Sequence, residues 1–193
     1  MTDVLLVRHG RTEWNQVGRL QGHEDIPLDD VGTAQAAAAA QALAGEGWQQ
    51  IVSSPLARAL ATAELIARAC GLAAPVTEAA FVERSYGAAS GMYDHEVRAR
   101  WPDRRWPDGE SRDDVYRRAR PALDRLAAAA PDGRVIVVAH GGLIRSLVAG
   151  LEGRPDDERD GVVNLGASLL RSDGPDGWTV RYYNRSLAPS APR

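Results

Sequence analysis

The 193-residue chain has no lysine: all 23 of its basic residues are arginine. That excludes chemistry requiring a lysine amine, such as a Schiff base or the phosphate-gripping lysine of a Walker loop. Cysteine is almost absent too. The single Cys70 rules out an internal disulfide, and its neighbours Ala67, Ala69 and Leu72 mark it as a small core residue of a helix. No apolar run approaches the ~20 residues of a membrane span, and an apolar strand pattern is already under way at Val4, so no leader or membrane association is expected. The expected location is cytoplasmic. A net charge of -3 provides no excess of positive charge for nucleic acid or an anionic membrane surface, so any anion-attracting field must be local. With 44% hydrophobic and 25% charged residues, the chain reads as one globular domain over 1–187 followed by a loose tail, 188–193. The assembly stays open, with a homodimer as one candidate.

What is present is concentrated at strand ends. The run Val4-Leu5-Leu6-Val7 stops at Arg8-His9-Gly10, and the run 134–139 stops at His140-Gly141-Gly142. Both read as buried parallel strands that deliver a histidine to the carboxyl edge of a sheet, where open α/β folds hold ligands. Between them a short strand, 49–53, leads through Ser54 as N-cap and Pro55 as first helical residue into a helix reaching Cys70 and stopped by Gly71. That helix carries Arg58 in its first turn. Further helices are expected over 30–45, 111–129 and 143–151, an edge strand over 75–78, and closing strands over 162–170 and 178–183 around a turn at 173–177. Residues 92–109, punctuated by Trp101-Pro102 and Trp106-Pro107, read as an irregular lid with a short helix. The alternation predicts a three-layer α/β/α sandwich around a mostly parallel sheet.

Two histidines and two arginines at equivalent strand ends describe an anion site. Arginine offers two parallel charge-assisted hydrogen bonds to a phosphate, so Arg8 and Arg58 are expected to be clamps, with His140 a third donor when protonated. Gly141 and Gly142 allow close approach and open a helix whose amides favour an anion. His9 is the expected nucleophile: the arginines keep its imidazole neutral, and a nearby backbone carbonyl holds one ring nitrogen while the other faces phosphorus. No carboxylate cluster of the kind that holds a magnesium pair is evident, so no metal or cofactor is expected. His23 and His95 fall in polar segments and read as surface residues. Trp101 and Trp106 fit either the substrate mouth or the packing of the lid.

The segment Leu6-Val7-Arg8-His9-Gly10-Arg11-Thr12-Glu13-Trp14-Asn15 closely resembles the signature of the histidine phosphatase superfamily, the phosphoglycerate-mutase-like proteins. The resemblance continues in family order through Gln21-Gly22, Asp25-Ile26-Pro27-Leu28, Ser53–Ala59 with Thr62-Ala63, Glu83–Gly87, Gly109-Glu110-Ser111 and Val138–Gly142. It implies that family's fold and a phosphohistidine on His9. It makes Glu83 the acid that protonates the leaving group and then activates water, ahead of Glu78 and Glu96, which sit in no matching motif. Asn15, Gln21 and Gly22 match positions that bind the phosphoryl group, and Arg84, Tyr86, Arg104 and Arg105 are expected to meet the leaving group. The implied partner is a small phosphomonoester. The family's mutases carry a longer insertion before Gly109-Glu110-Ser111, with a lysine and an arginine pair; here that region is short and lysine-free, although Arg104-Arg105 resembles the pair. Hydrolysis is therefore favoured over a mutase primed by 2,3-bisphosphoglycerate. A noncatalytic phosphate-binding member would have lost a catalytic group, and none is missing.

Overall fold

The computed structural model describes residues 1–154, 160–174 and 177–187, so the expected tail and the tip of the turn at 173–177 lie outside the described residues. Six strands form one sheet: β1 (Asp3–Arg8), β2 (Gln50–Ser53), β3 (Val76–Thr77), β4 (Arg134–Ala139), β5 (Gly166–Ser172) and β6 (Trp178–Ser186), in the order β3-β2-β4-β1-β5-β6. The pairs β2–β3, β2–β4 and β1–β4 are parallel, while β5 runs against both β1 and β6. The helices are α1 (Glu13–Val17), α2 (Asp30–Leu43), α3 (Ala57–Cys70), α4 (Asp94–Arg100), α5 (Arg112–Ala129) and α6 (Gly141–Glu152).

The continuous apolar runs of β1 and β4 are explained by burial on both faces. Val4, Leu6, Val135 and Val137 join Val115, Ala119 and Leu123 of α5 and Leu143, Leu147 and Val148 of α6 in one core. Leu5, Val7, Ile136 and Val138 point the other way, against Ala39, Ala40 and Leu43 of α2 and Ala59, Ala63 and Ile66 of α3. These are the three layers expected. A satellite cluster of Ala89, Val97 and Trp106, with Trp101, Tyr86, Met92 and Leu20 packed against it, anchors the 92–109 segment. Both tryptophans thus pack that segment.

Several boundaries differ from the sequence reading. Helix α3 starts at Ala57, not Pro55; its N-cap is Leu56, and the carboxylate of Asp25 accepts the Ala57 N–H at 2.7 Å. Ser54 lies in the preceding turn. Helix α1 stands in a segment that reads only as a polar turn, closed by a Thr12/Asn15 capping box. β5 begins at Gly166 because residues 163–166 form a turn, with Leu165 left-handed at φ 53° and Gly166 N–H bonded to Val163 O at 2.8 Å. Two glycines meet behind β1. A Cβ on Gly32 would lie 1.9 Å from Arg11 O, and one on Gly10 would lie 2.4 Å from Gly32 O, so the loop after His9 rests directly on the start of α2. That contact accounts for the small residue at position 10.

Candidate active site

The carboxyl ends of β1, β4 and β2 converge, bringing Arg8, His9, His140 and Ser54 together. His9 N–H continues the ladder to Ala139 O at 3.0 Å, and Ser54 N–H reaches Val138 O at 2.9 Å. His9 and His140 lie edge to face with ring centroids 5.1 Å apart. The Nδ1 of His9 is 2.7 Å from the carbonyl of Gly10. A carbonyl only accepts, so the proton of the neutral ring sits on Nδ1 and the lone pair on Nε2. Burial, and behind it the charges of Arg8 and Arg58, hold the His9 imidazole well below its ordinary pKa. The arginines contribute as expected, but desolvation is the larger cause.

His140 is fully buried and neutral for the same first reason, with His9 next in order. Its Nε2 pairs with Ser54 Oγ at 2.7 Å, while its Nδ1 is buried with no partner among the described residues. It stands behind His9 and does not line the cavity in front of it. That cavity, ≈ 420 Å³, is lined by Arg8, His9, Asn15, Arg19, Gln21, Gly22, Arg58, Glu83, Tyr86, Asp94, Gly141 and Arg145, with Gly18, Leu20, Gly142, Gly161 and Val162 completing the wall.

The two arginines expected to clamp phosphate are held by backbone carbonyls. Arg58, 0% exposed, donates to Gly22 O at 2.8 Å and Glu24 O at 2.6 Å. Arg8 donates to Val162 O, and Leu165 N–H returns to Arg8 O at 3.1 Å. The turn that displaces the start of β5 therefore grips the end of β1. Each guanidinium keeps a buried Nε with no partner among the described residues. Burial lowers the pKa of both, and the charge of Glu83 opposes that shift.

Glu83 is 8% exposed, and its carboxylate accepts from Arg84 N at 2.8 Å, Leu143 N at 2.9 Å and Gly142 N at 3.0 Å. Two of the helix-start amides of α6 expected to face an anion are thus occupied by Glu83. Glu78 and Glu96 line no part of this cavity; Glu78 caps the turn at Ala80, and Glu96 closes a capping box on α4. Asn15 Oδ1 accepts from Thr12 N–H at 3.3 Å and from Asn164 Nδ2 at 3.2 Å, and Gln21 Oε1 accepts from Thr12 Oγ at 3.0 Å. Both amides thus use their oxygens within the protein.

The expected leaving-group contacts divide. Tyr86 lines the cavity, and burial with the neighbouring Glu83 charge raises its pKa. Arg84 and Arg104 instead line a small adjoining chamber, ≈ 80 Å³, with Tyr86, Trp106, Arg112, Arg145, Leu20, Gly142 and Ser146, and no carboxylate. Arg105 lines only the outer groove of ≈ 750 Å³ beyond it. That groove has no histidine in its lining, whereas His9 lines the smaller cavity.

Sequence reading missed Arg19, Arg145, Asn164 and Asp25, which lie outside its strand-end logic. It also took His23 for a plain surface residue. His23 is exposed, yet its Nε2 is 2.7 Å from the carbonyl of Glu83. His95 is exposed and stacks on Tyr93. Among the described residues no group of three or more His, Cys, Asp or Glu converges as a metal would require, and no helix is long and apolar enough to cross a membrane.

The family model described as histidine phosphatase superfamily (branch 1) matches residues 4–186. The chain belongs to the histidine phosphatase superfamily. Within that superfamily it is 37% identical to the uncharacterized phosphatase PhoE of Bacillus subtilis, over 95% of each chain. It is 32% identical to a probable phosphoglycerate mutase, GpmB of Yersinia pestis, over 93% of this chain and 91% of that one. A solved mycobacterial glucosyl-3-phosphoglycerate phosphatase complexed with VO3 superposes with a TM-score of 0.87 at 33% identity, covering 95% of this chain and 99% of that one. The protein is an enzyme of this superfamily, of the phosphoglycerate-mutase-like phosphohydrolase kind.

Proposed function

We propose that the protein is a metal-independent phosphomonoester phosphatase that passes the phosphoryl group through His9. The observation carrying this is a neutral imidazole that shares one cavity with Arg8 and Arg58, each of which keeps a buried Nε without a partner among the described residues. Buried polar atoms are normally satisfied, so two such cationic exceptions in the cavity of one nucleophile call for a ligand rich in oxygen. A phosphate dianion supplies it. The guanidinium groups neutralise the nonbridging oxygens, and the NH2 ends of Asn15 and Gln21 complete the grip.

Nε2 of His9 attacks phosphorus with its lone pair as the bond to the alcohol oxygen breaks, and a proton from the Glu83 carboxyl goes to that oxygen. Water then gives a proton to the Glu83 carboxylate while its oxygen attacks phosphorus, the P–N bond breaks, and phosphate leaves with His9 neutral again. No electrophilic metal enters either step.

The substrate is a small phosphorylated metabolite whose alcohol part carries a second anionic group. The support is the chamber beside Tyr86, whose lining gathers Arg84, Arg104, Arg112 and Arg145. A relative named for glucosyl-3-phosphoglycerate fits that chemistry. Phosphoryl return to a second hydroxyl, as in a mutase, is the second reading, favoured by the relative named for that reaction. Against it, Arg105 is outside the cavity and Arg104 is paired with Asp94 at 2.7 Å. The test uses chelator-treated enzyme with 3-phosphoglycerate and the bisphosphorylated primer, following both inorganic phosphate and 2-phosphoglycerate. Phosphate release ahead of isomerisation is expected. Isomerisation running well ahead would establish a mutase, and activity restored only by a divalent ion would overturn the metal-independent mechanism.

A further inference from the structure

The Gly109-Glu110-Ser111 motif has no place in the chemistry above, although it is one of the segments that mark the family. Its three residues do three different things. A Cβ on Gly109 would lie 2.1 Å from Trp106 Nε1, so the glycine admits the indole; Ser111 caps α5; and Glu110 reaches Arg118, eight residues along.

We propose that Arg118 and Glu110 are positioning residues for Glu83, a reading that rests on Glu83 being the acid of the proposed phosphatase. All five N–H groups of the Arg118 guanidinium are engaged. Nη1 donates to Ala80 O at 2.8 Å and Val82 O at 3.0 Å, Nη2 donates to Glu83 O at 3.0 Å and Glu110 Oε2 at 3.0 Å, and Nε donates to Glu110 Oε1 at 2.7 Å. Glu110 Oε2 also accepts Ser85 N–H at 2.8 Å, and the backbones of Glu110 and Ser85 pair at 3.0 Å. The main chain on both sides of Glu83 is thereby tied to α5. Burial raises the Glu110 pKa, but hydrogen bonds from Arg118 and Ser85 outweigh it and keep the carboxyl ionised.

His23 holds the same carbonyl as well, and its neighbours Gly22 and Glu24 hold Arg58. Acid and phosphate clamp therefore share one loop. Arg118 lines none of the hollows around the site, so its effect must pass through Glu83. A surface ion pair contributes little. A planar fork gripping the three main-chain carbonyls of Ala80, Val82 and Glu83 is different, because it fixes direction as well as distance.

The test compares Arg118→Ala, Arg118→Lys, Glu83→Gln and the Arg118→Ala/Glu83→Gln pair on an alkyl phosphate and on p-nitrophenyl phosphate, with the fold followed by circular dichroism. Misplacing an acid by ~1 Å costs up to ~100-fold, so Arg118→Ala should lower kcat/KM by about 30- to 100-fold on the alkyl ester but less than about 5-fold on the activated aryl ester. Arg118→Lys should behave like Arg118→Ala, since a lysine keeps the charge and loses the fork. In the Glu83→Gln background the Arg118 substitution should add little. Should Arg118→Ala fail to fold, His23→Ala removes one of the two bonds to the Glu83 carbonyl from an exposed position and should show a weaker loss with the same leaving-group dependence. Equal losses on both esters, additive with Glu83→Gln, would overturn the proposal. Leaving-group independence in Glu83→Gln itself would instead remove Glu83 as the acid and leave the clamp purely structural.

Discussion

The two ends of the site handle arginine in opposite ways. At the phosphoryl end, Arg58 is buried and Arg8 half-buried, and both are oriented by main-chain carbonyls, with no carboxylate paired to either among the described residues. At the leaving-group end Arg104 is paired with Asp94, and behind Glu83 Arg118 is paired with Glu110 besides its three carbonyls; all four side chains are partly exposed. A carbonyl cage directs a cation without cancelling its charge, so the full charge remains for a dianion. An ion pair fixes geometry but neutralises, which suits a region that shapes the site. The helices follow the same division. α1, α2 and α5 are capped by their own Thr12, Asp29 and Ser111, whereas α3 and α6, which open onto the phosphoryl end, are capped by Asp25 and Glu83 from elsewhere in the chain. The phosphoryl end is thus assembled by long-range contacts.

Breaking the carbonyl cage should have the largest effect. In Arg58→Lys the charge survives but an ammonium cannot serve Gly22 O, Glu24 O and a phosphoryl oxygen in one plane, so kcat/KM should fall by about 10²- to 10³-fold on every phosphomonoester. A loss confined to substrates with a second anion would place Arg58 at the other end of the site. Arg145→Ala probes that other end. It should cost about 10-fold on substrates bearing a second anionic group and nearly nothing on phenyl phosphate, read as kcat/KM for the two classes. Equal effects on both would remove the arginine-lined chamber from substrate recognition.

How much of this was legible in the sequence follows from the range of the forces involved. β1 and β4 were readable because burial on both faces writes an unbroken apolar run, and α5 because Val115, Ala119, Ala122 and Leu123 recur at helical spacing on its buried face. His9, Arg8 and Arg58 were readable because strand ends and a helix start place them. The start of α3 was misjudged because its cap, Asp25, is 32 residues away, and no local rule sees it. The strand expected from Val162 begins later because residues 163–166 turn to hold Arg8 and His9, through Val162 O and Asn164 Nδ2. His23 was read from polarity alone, while its role depends on a carbonyl 60 residues onward. Arg19 and Arg145 come into the cavity from helical or loop positions that no periodicity distinguishes from solvated ones.

A smaller effect separates the two ends by pH. Burial first, then neighbouring positive charge, keeps His9 and His140 neutral in the folded protein, whereas unfolded imidazoles take up protons below about pH 6.5. The unfolded chain then binds more protons than the folded one, so stability should decline as pH falls from about 6.5 toward 5. For Asp94 and Glu110, burial raises the pKa, but bonds to Arg104 and Arg98 and to Arg118 hold each below its ordinary value. Their contribution is present above the unfolded carboxylate range and should be lost only below about pH 4. Urea midpoints between pH 8 and 3 should therefore show two declines, and His140→Gln should weaken only the first. A flat profile from pH 7 to 5 would mean the two imidazoles are not held neutral.

The central claim is that phosphorus becomes bonded to His9, and trapping that bond tests it most directly. Enzyme mixed with a radiolabelled phosphomonoester and quenched in alkali should carry a phosphoryl group that is stable to base, labile to acid, located on His9 by peptide mapping and absent from His9→Ala. Label on another residue, or label persisting in His9→Ala, would contradict the account.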